Sequence, residues 1–181
     1  MCPAAQEADD GGPLVVVMGV SGVGKTTVGE LLAGRLGVSF ADADEFHPPA
    51  NIAKMSDGIP LVDDDRWPWL DAIGSWLADR AASGAVVTCS ALKRSYRDAI
   101  RAQAPTTCFL YLEGDAELIR QRMTHRPHHF MPASLLDSQL ATLEPPDEHE
   151  RAVVESASEP PDEIVDNFLQ ALSSRTGGTR D

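Results

Sequence analysis

Short unbroken apolar runs alternate along the chain with stretches in which apolar residues recur every three or four positions. Leu14-Val15-Val16-Val17-Met18, Ala85-Val86-Val87-Thr88-Cys89 and Thr107-Cys108-Phe109-Leu110-Tyr111-Leu112 read as strands buried on both faces. Val38-Ser39-Phe40-Ala41 and Arg151-Ala152-Val153-Val154-Glu155 read as two further, shorter strands. Between the first two, Val28, Leu31, Leu32 and Leu36 fall on one helical face, and Gly37 suits the residue that ends such a helix. Leu70, Ile73 and Leu77 mark a longer helix closed by Ser83-Gly84. Ser95–Gln103, Asp115–Arg122 (with Asp115 as N-cap) and Pro132–Leu143 read as helices, and Ile164, Val165, Phe168, Leu169 and Leu172 define a last amphipathic one. Asp42 to Asp65 is polar and weakly periodic, with at most a short helix around Asn51–Met55. Five strands separated by helices predict an α/β fold, a five-stranded parallel sheet with helices on both faces. Ligands of such sheets bind beyond the carboxyl ends of the strands.

The first strand runs directly into Gly19-Val20-Ser21-Gly22-Val23-Gly24-Lys25-Thr26, followed by Thr27 and a helix. This is the spacing of a phosphate-binding loop. Its glycines let the backbone come close to a polyphosphate, and its successive N–H groups form an anion nest. Lys25 is placed for the β- and γ-phosphates of ATP, and the Thr26 hydroxyl for Mg²⁺. The positive end of the helix points at the same phosphates.

Composition narrows the picture. The chain has 181 residues, 43% of them apolar, as expected of one globular domain. Residues 1–12 and 174–181 read as disordered tails around a domain spanning 13–173. The formal net charge of −13 argues against sequence-independent nucleic-acid binding. No apolar run approaches a membrane span, and the N-terminus lacks the pattern of a signal peptide. Cys2, Cys89 and Cys108 show no metal or redox spacing, which suits buried thiols in a reducing cytoplasm. On so acidic a chain, the places where Lys and Arg gather are candidate anion sites.

Three later strand ends carry such chemistry. Asp42 and Asp44, one residue apart after the second strand, suit two tasks: holding Mg²⁺, and accepting a hydroxyl proton during phosphoryl transfer. Asp44 is favoured as the base and Asp42 as the metal-side group. Arg66 follows Asp63-Asp64-Asp65; it reads equally as a salt-bridge partner at a helix start and as a ligand for an anionic acceptor. Lys93, Arg94, Arg97 and Arg101 lie within nine positions after the third strand, a candidate anion site or a solvated basic face. Arg120, Arg122 and Arg126 then precede Pro127-His128-His129, in a segment suited to closing over a nucleotide.

Taken together, GVSGVGKTT, DADEFHPPANIAKMSDGIPLVDDDRWPWL, SALKRSYRD and HHFMPASLLDSQLATLEPP resemble the small P-loop gluconokinases over roughly Val15 to Asp166. The resemblance implies a nucleoside monophosphate kinase-like three-layer fold with a mobile lid at about 123–140. It also implies a homodimer and ATP-dependent phosphorylation of D-gluconate with Mg²⁺. By position it assigns Gly19 to Thr27 to the ATP phosphates, Arg122 to the adenine side and Arg126 to the phosphates. Asp44, His47, Lys54, Arg66, Lys93, Arg97, His129 and Gln139 fall to the acceptor. Val23, Ala43 and His128 depart from the residues frequent in that family. The alternatives are a P-loop kinase of another small acid, such as shikimate, and a nucleotide-binding switch. The switch lacks support, because the chain has no guanine-reading Asn-Lys-x-Asp motif.

Overall fold

The computed structural model describes residues 11–125 and 133–176. Five strands form one wholly parallel sheet: β1 (Leu14–Met18), β2 (Ser39–Asp42), β3 (Ala85–Thr88), β4 (Cys108–Glu113) and β5 (Ala152–Ser156), in the order β2-β3-β1-β4-β5. Val16 of β1 lies beside Val87 of β3 and Phe109 of β4. Every residue of β1 is buried, because strand side chains alternate between faces and helices cover both.

One face carries Leu14, Val16, Met18, Val87 and Phe109. It packs on Leu70, Ile73 and Leu77 of α3 (Asp63–Ala78) and on Tyr96 and Ile100 of α4 (Arg94–Gln103). The other carries Val15, Val17, Val86 and Leu110. It packs on Val28 and Leu32 of α1 (Lys25–Leu36) and on Ile164, Val165 and Phe168 of α7 (Pro161–Thr176). Each fully buried aliphatic or aromatic side chain contributes on the order of 1.5–3 kcal/mol, so these two layers dominate the stability of the domain. The remaining helices are α2 (Pro49–Ser56), α5 (Ala116–Thr124) and α6 (Ala133–Thr142).

Several local expectations hold. Gly37 ends α1 with φ 67°, its N–H donating to Ala33 and Gly34. Asp115 caps α5 by accepting from the Leu118 N–H at 2.7 Å. Others shift. α2 starts at Pro49, a residue suited to a first helical turn, and so is longer than predicted. α3 begins within the Asp63-Asp64-Asp65 triplet, whose charges favour a helix N-terminus. Gly12, placed in the N-terminal tail by sequence, donates to the Ala81 carbonyl at 2.9 Å, and α7 continues past Ser173 to Thr176.

Candidate active site

The turn from β1 into α1 is built as a phosphate cradle. Gly24 precedes the helix with φ 107°, a conformation that L side chains rarely adopt. Gly22, at φ 85°, lies so close to α5 that a Cβ there would meet Met123 at 2.9 Å. Thr26 and Thr27 are exposed in the first turn of α1. Val23 is 2% exposed and packs downward with Val15, Val17 and Val28, so its departure from the family's habit changes the floor of the loop. Its carbonyl accepts from Arg122 Nη1 at 3.2 Å, while Arg122 Nη2 donates to the Ala157 carbonyl. Arg122 therefore sits against the phosphate loop.

Lys25 Nζ donates to the Gly19 and Val20 carbonyls, each at 3.0 Å. Burial lowers its pKa from 10.5 to about 8, although the Asp42 and Asp44 carboxylates nearby favour the charged form. Cys89 is a buried thiol raised to about 12 by the same desolvation. It lies within charge reach of the lysine as a neutral group.

The two carboxylates after β2 are differently employed. Asp42 caps the 3₁₀ turn Ala43–Phe46: its Oδ1 accepts from the Asp44 N–H at 2.9 Å. Asp44 leaves that turn 89% exposed in its side chain, a carboxylate with no local structural task comparable to the cap. His47 Nε2 stands 3.9 Å from Asp44 Oδ1. The His47 ring stacks on Trp69 at 4.4 Å and 11°, and Trp69 Nε1 fastens the Ala43 carbonyl at 2.7 Å. Buried Asn51 bridges His47 Nδ1 and the Asp65 carbonyl. With the Asn51 amide donating to Nδ1, the ring proton resides on Nε2 and faces Asp44. Burial lowers the His47 pKa, Asp44 opposes that shift, and Arg66 adds to it. His47 is thus a neutral hydrogen-bonding group at pH 7.

Beyond His47 lies the cationic end of the site. Arg66 Nη1 and Lys93 Nζ each donate at 3.0 Å to Asp63, on different oxygens, and the Tyr96 hydroxyl donates to Asp63 as well. Arg66 also reaches the Tyr96 oxygen at 3.2 Å. The Tyr96 and Lys93 hydrogen bonds, with Arg66, hold the Asp63 carboxyl below its ordinary range. Lys54 is bound to both carboxylate oxygens of Asp65 at 2.7 and 2.9 Å. Sequence reading took Asp63 only as one of three acids at a helix start and did not single out Tyr96. Trp69 is part of the core and also the platform beneath His47.

Arg97 corrects the sequence expectation. It was grouped with Lys93 as an acceptor-binding cation, yet it is wholly buried. Nε and Nη2 form a two-pronged pair with Glu150 at 2.7 and 2.8 Å, and Nη1 donates to the Ala91 carbonyl at 2.9 Å. Arg101 joins it on Glu150, and Arg94 pairs with Asp147 while its N–H is capped by Glu144. Three of the four clustered cations therefore clamp the acidic segment after α6. Of the four, only Lys93 joins Arg66 on Asp63. Ala91, held by Arg97, is the one described non-glycine residue at positive φ (44°). Next to it, the Ser90 carbonyl accepts from the Gly19 N–H. The clamp thus supports both the phosphate loop and the approach to Lys93.

Gln139 of α6, also assigned to the acceptor by sequence, reaches the phosphate loop. Its Oε1 accepts from the Ser21 N–H at 2.7 Å and its Nε2 donates to Ser21 Oγ at 3.1 Å. Arg126 and His129 lie outside the described residues, as does His128. Among the described residues there is no group of three or more His, Cys, Asp or Glu side chains able to hold a metal. Thr26 is exposed and Asp42 partly exposed, so each offers oxygen chemistry of the kind that Mg²⁺ takes together with phosphate oxygens.

A family profile described as shikimate kinase matches residues 21–173. The gluconokinase of Gluconobacter oxydans is 48% identical over 158 residues, which span 86% of this chain and 89% of that protein. The crystal structure of a gluconokinase from Sinorhizobium meliloti superposes with a TM-score of 0.82 at 50% identity, covering 94% of this chain and 95% of that one. A crystal structure of shikimate kinase from Aquifex aeolicus shares the fold alone, with a TM-score of 0.58 at 18% identity, over 91% and 99% of the two chains.

Proposed function

The chain belongs to the gluconokinases within the shikimate kinase family, and from that premise we propose that it transfers the γ-phosphoryl group of ATP to D-gluconate, giving 6-phospho-D-gluconate and ADP. The observation that carries the reading is a series of groups, each within electrostatic or hydrogen-bonding reach of the next. It runs from Lys25 through Asp44 and His47 to Arg66 and Lys93, and so joins a phosphate cradle to a cationic pocket. Gluconate spans such a series: a carboxylate at one end, a primary hydroxyl at the other, and hydroxyls between.

In this mechanism Arg66 and Lys93 hold the carboxylate and His47 donates to a hydroxyl along the chain. Lys54, at present on Asp65, is proposed as a further acceptor contact. Asp44 accepts the proton of the primary hydroxyl as its oxygen bonds to the γ-phosphorus and the bond to the ADP oxygen breaks. Lys25 and the loop N–H groups stabilise charge on the phosphates. Approach of the triphosphate favours protonated Lys25 and offsets the desolvation that lowers its pKa. Thr26 and Asp42 would hold Mg²⁺, which supplies further charge neutralisation when bound. Arg122 and Gln139 belong to the nucleotide side, and Arg126 and His129 are proposed for the lid. The proposed setting is a homodimer in the cytoplasm. Among the described residues no helix is long and apolar enough to cross a membrane. Asp44→Asn tests the assignment: turnover should fall at least about a hundredfold, the scale of general-base catalysis, with ATP binding retained. Unchanged turnover removes Asp44 from the base role.

A further inference from the structure

Asp63 is the anion to which both Arg66 and Lys93 are bound. Its two oxygens take Arg66 and Lys93 at 3.0 Å each, and Tyr96 donates to it from the sheet side. Arg66, Lys93 and Asp63 together carry a single net positive charge. Arg66, Lys93 and Asp63 are all partly exposed, with side-chain exposures of 31%, 32% and 40%, so a ligand can reach the same guanidinium and ammonium. Arg66 makes one hydrogen bond to Asp63 through Nη1 alone, and no bond from its Nε or Nη2 is seen among the described residues, leaving a guanidinium edge suited to a ligand carboxylate.

We propose that Asp63 is a specificity-determining residue: a built-in counter-charge that tunes the acceptor pocket to a monoanionic carboxylate and against a dianionic phosphate. The inference rests on the assignment of Arg66 and Lys93 to the acceptor carboxylate. A carboxylate neutralises the remaining positive charge of the pocket. A phosphate dianion brings one charge more and meets Asp63 across a few Å of partly desolvated space. A built-in repulsion of that kind adds to the discrimination that the attractive contacts supply. The same fold can thereby reject phosphorylated sugars while retaining two cations for a sugar acid.

The test compares two inhibitors competitive with gluconate at saturating ATP: glucuronate, a monoanion, and glucose 6-phosphate, a dianion. Both are measured on the unaltered chain, on Asp63→Asn and on Asp63→Glu. Asp63→Asn should lower the inhibition constant of glucose 6-phosphate relative to that of glucuronate by about tenfold at low salt, the order expected for one partly screened charge at close range. The gain should shrink as ionic strength rises, and Asp63→Glu should keep the original ratio. If both constants and the KM for gluconate rise together in Asp63→Asn, Asp63 merely positions Arg66 and Lys93, and the proposal is overturned. An unchanged ratio, or no inhibition of Asp63→Asn by glucose 6-phosphate, overturns it as well. Gluconate turnover by the unaltered chain is measured first. Its absence sinks the functional reading separately, and the ratio is then read by calorimetric binding of the same two ligands.

Discussion

Glu150→Gln should destabilise the protein substantially although Glu150 touches no reacting atom. The carboxylate is 2% exposed and takes two bonds from Arg97 and one from Arg101. Burial alone would raise its pKa, but the two guanidinium groups overrule burial and hold it at about 2 against an ordinary 4.5. At ~1.4 kcal/mol per pKa unit that difference corresponds to ~3 kcal/mol of folding free energy. Removing one partner of a buried pair costs about 3–5 kcal/mol in general, because the other charge is stranded. For a chain of this size, ~3 kcal/mol lowers the midpoint of thermal unfolding by roughly 6–12 °C. The pH dependence has a definite sign. The folded-state pKa is depressed, so the contribution is complete above about 4.5 and is lost as pH falls through about 2. Urea or thermal unfolding of both proteins between pH 7 and pH 2.5 should therefore show a wide gap that closes in acid. A gap of constant width, or none at pH 7, refutes the reasoning. Replacing both partners by apolar residues (Arg97→Met with Glu150→Leu) should recover much of the loss, since a buried pair is replaceable by packing.

Three further outcomes follow from the site. Arg66→Ala should raise the KM for gluconate by at least about tenfold, the worth of a charge-assisted hydrogen bond, and leave that for ATP nearly unchanged; steady-state kinetics with each substrate varied would show the reverse if Arg66 served the nucleotide. Gln139→Ala should weaken ATP more than gluconate, by a few-fold, because it frees the Ser21 N–H at the phosphate loop; a selective gluconate defect would return Gln139 to the acceptor side. Gly22→Val should abolish detectable nucleotide binding by calorimetry, because the residue sits at φ 85° with Met123 at 2.9 Å from any Cβ. Normal binding would mean that the loop tolerates rearrangement.

The features legible in sequence are those whose information is local. Loop spacing located the phosphate cradle, and the unbroken runs around Val16, Val87 and Phe109 located the central strands and the parallel sheet. Asp42, Asp44 and His47 are close in sequence, and the two carboxylates lie within electrostatic reach of Lys25. The fate of Arg97 was hidden, because its partner Glu150 lies 53 residues away and a helical row of cations looks the same whether it faces solvent, ligand or another segment. One signal was available: Glu144, Asp147, Glu148 and Glu150 form an acidic stretch that can neutralise such a row. The bond of Gln139 to Ser21 was hidden for a related reason, since side-chain amides suit a sugar hydroxyl and a backbone N–H alike. Asp63 was read only as a helix-start charge. Its role emerges when α3 and α4 pack and bring Arg66, Lys93 and Tyr96 around it.

The most direct test of the proposed function is ADP release by the purified chain with ATP and Mg²⁺ over a panel of gluconate, other sugar acids, neutral sugars, shikimate and nucleoside monophosphates. Strong turnover with gluconate, together with formation of 6-phosphogluconate, is the predicted result. Turnover with shikimate and none with gluconate would contradict it.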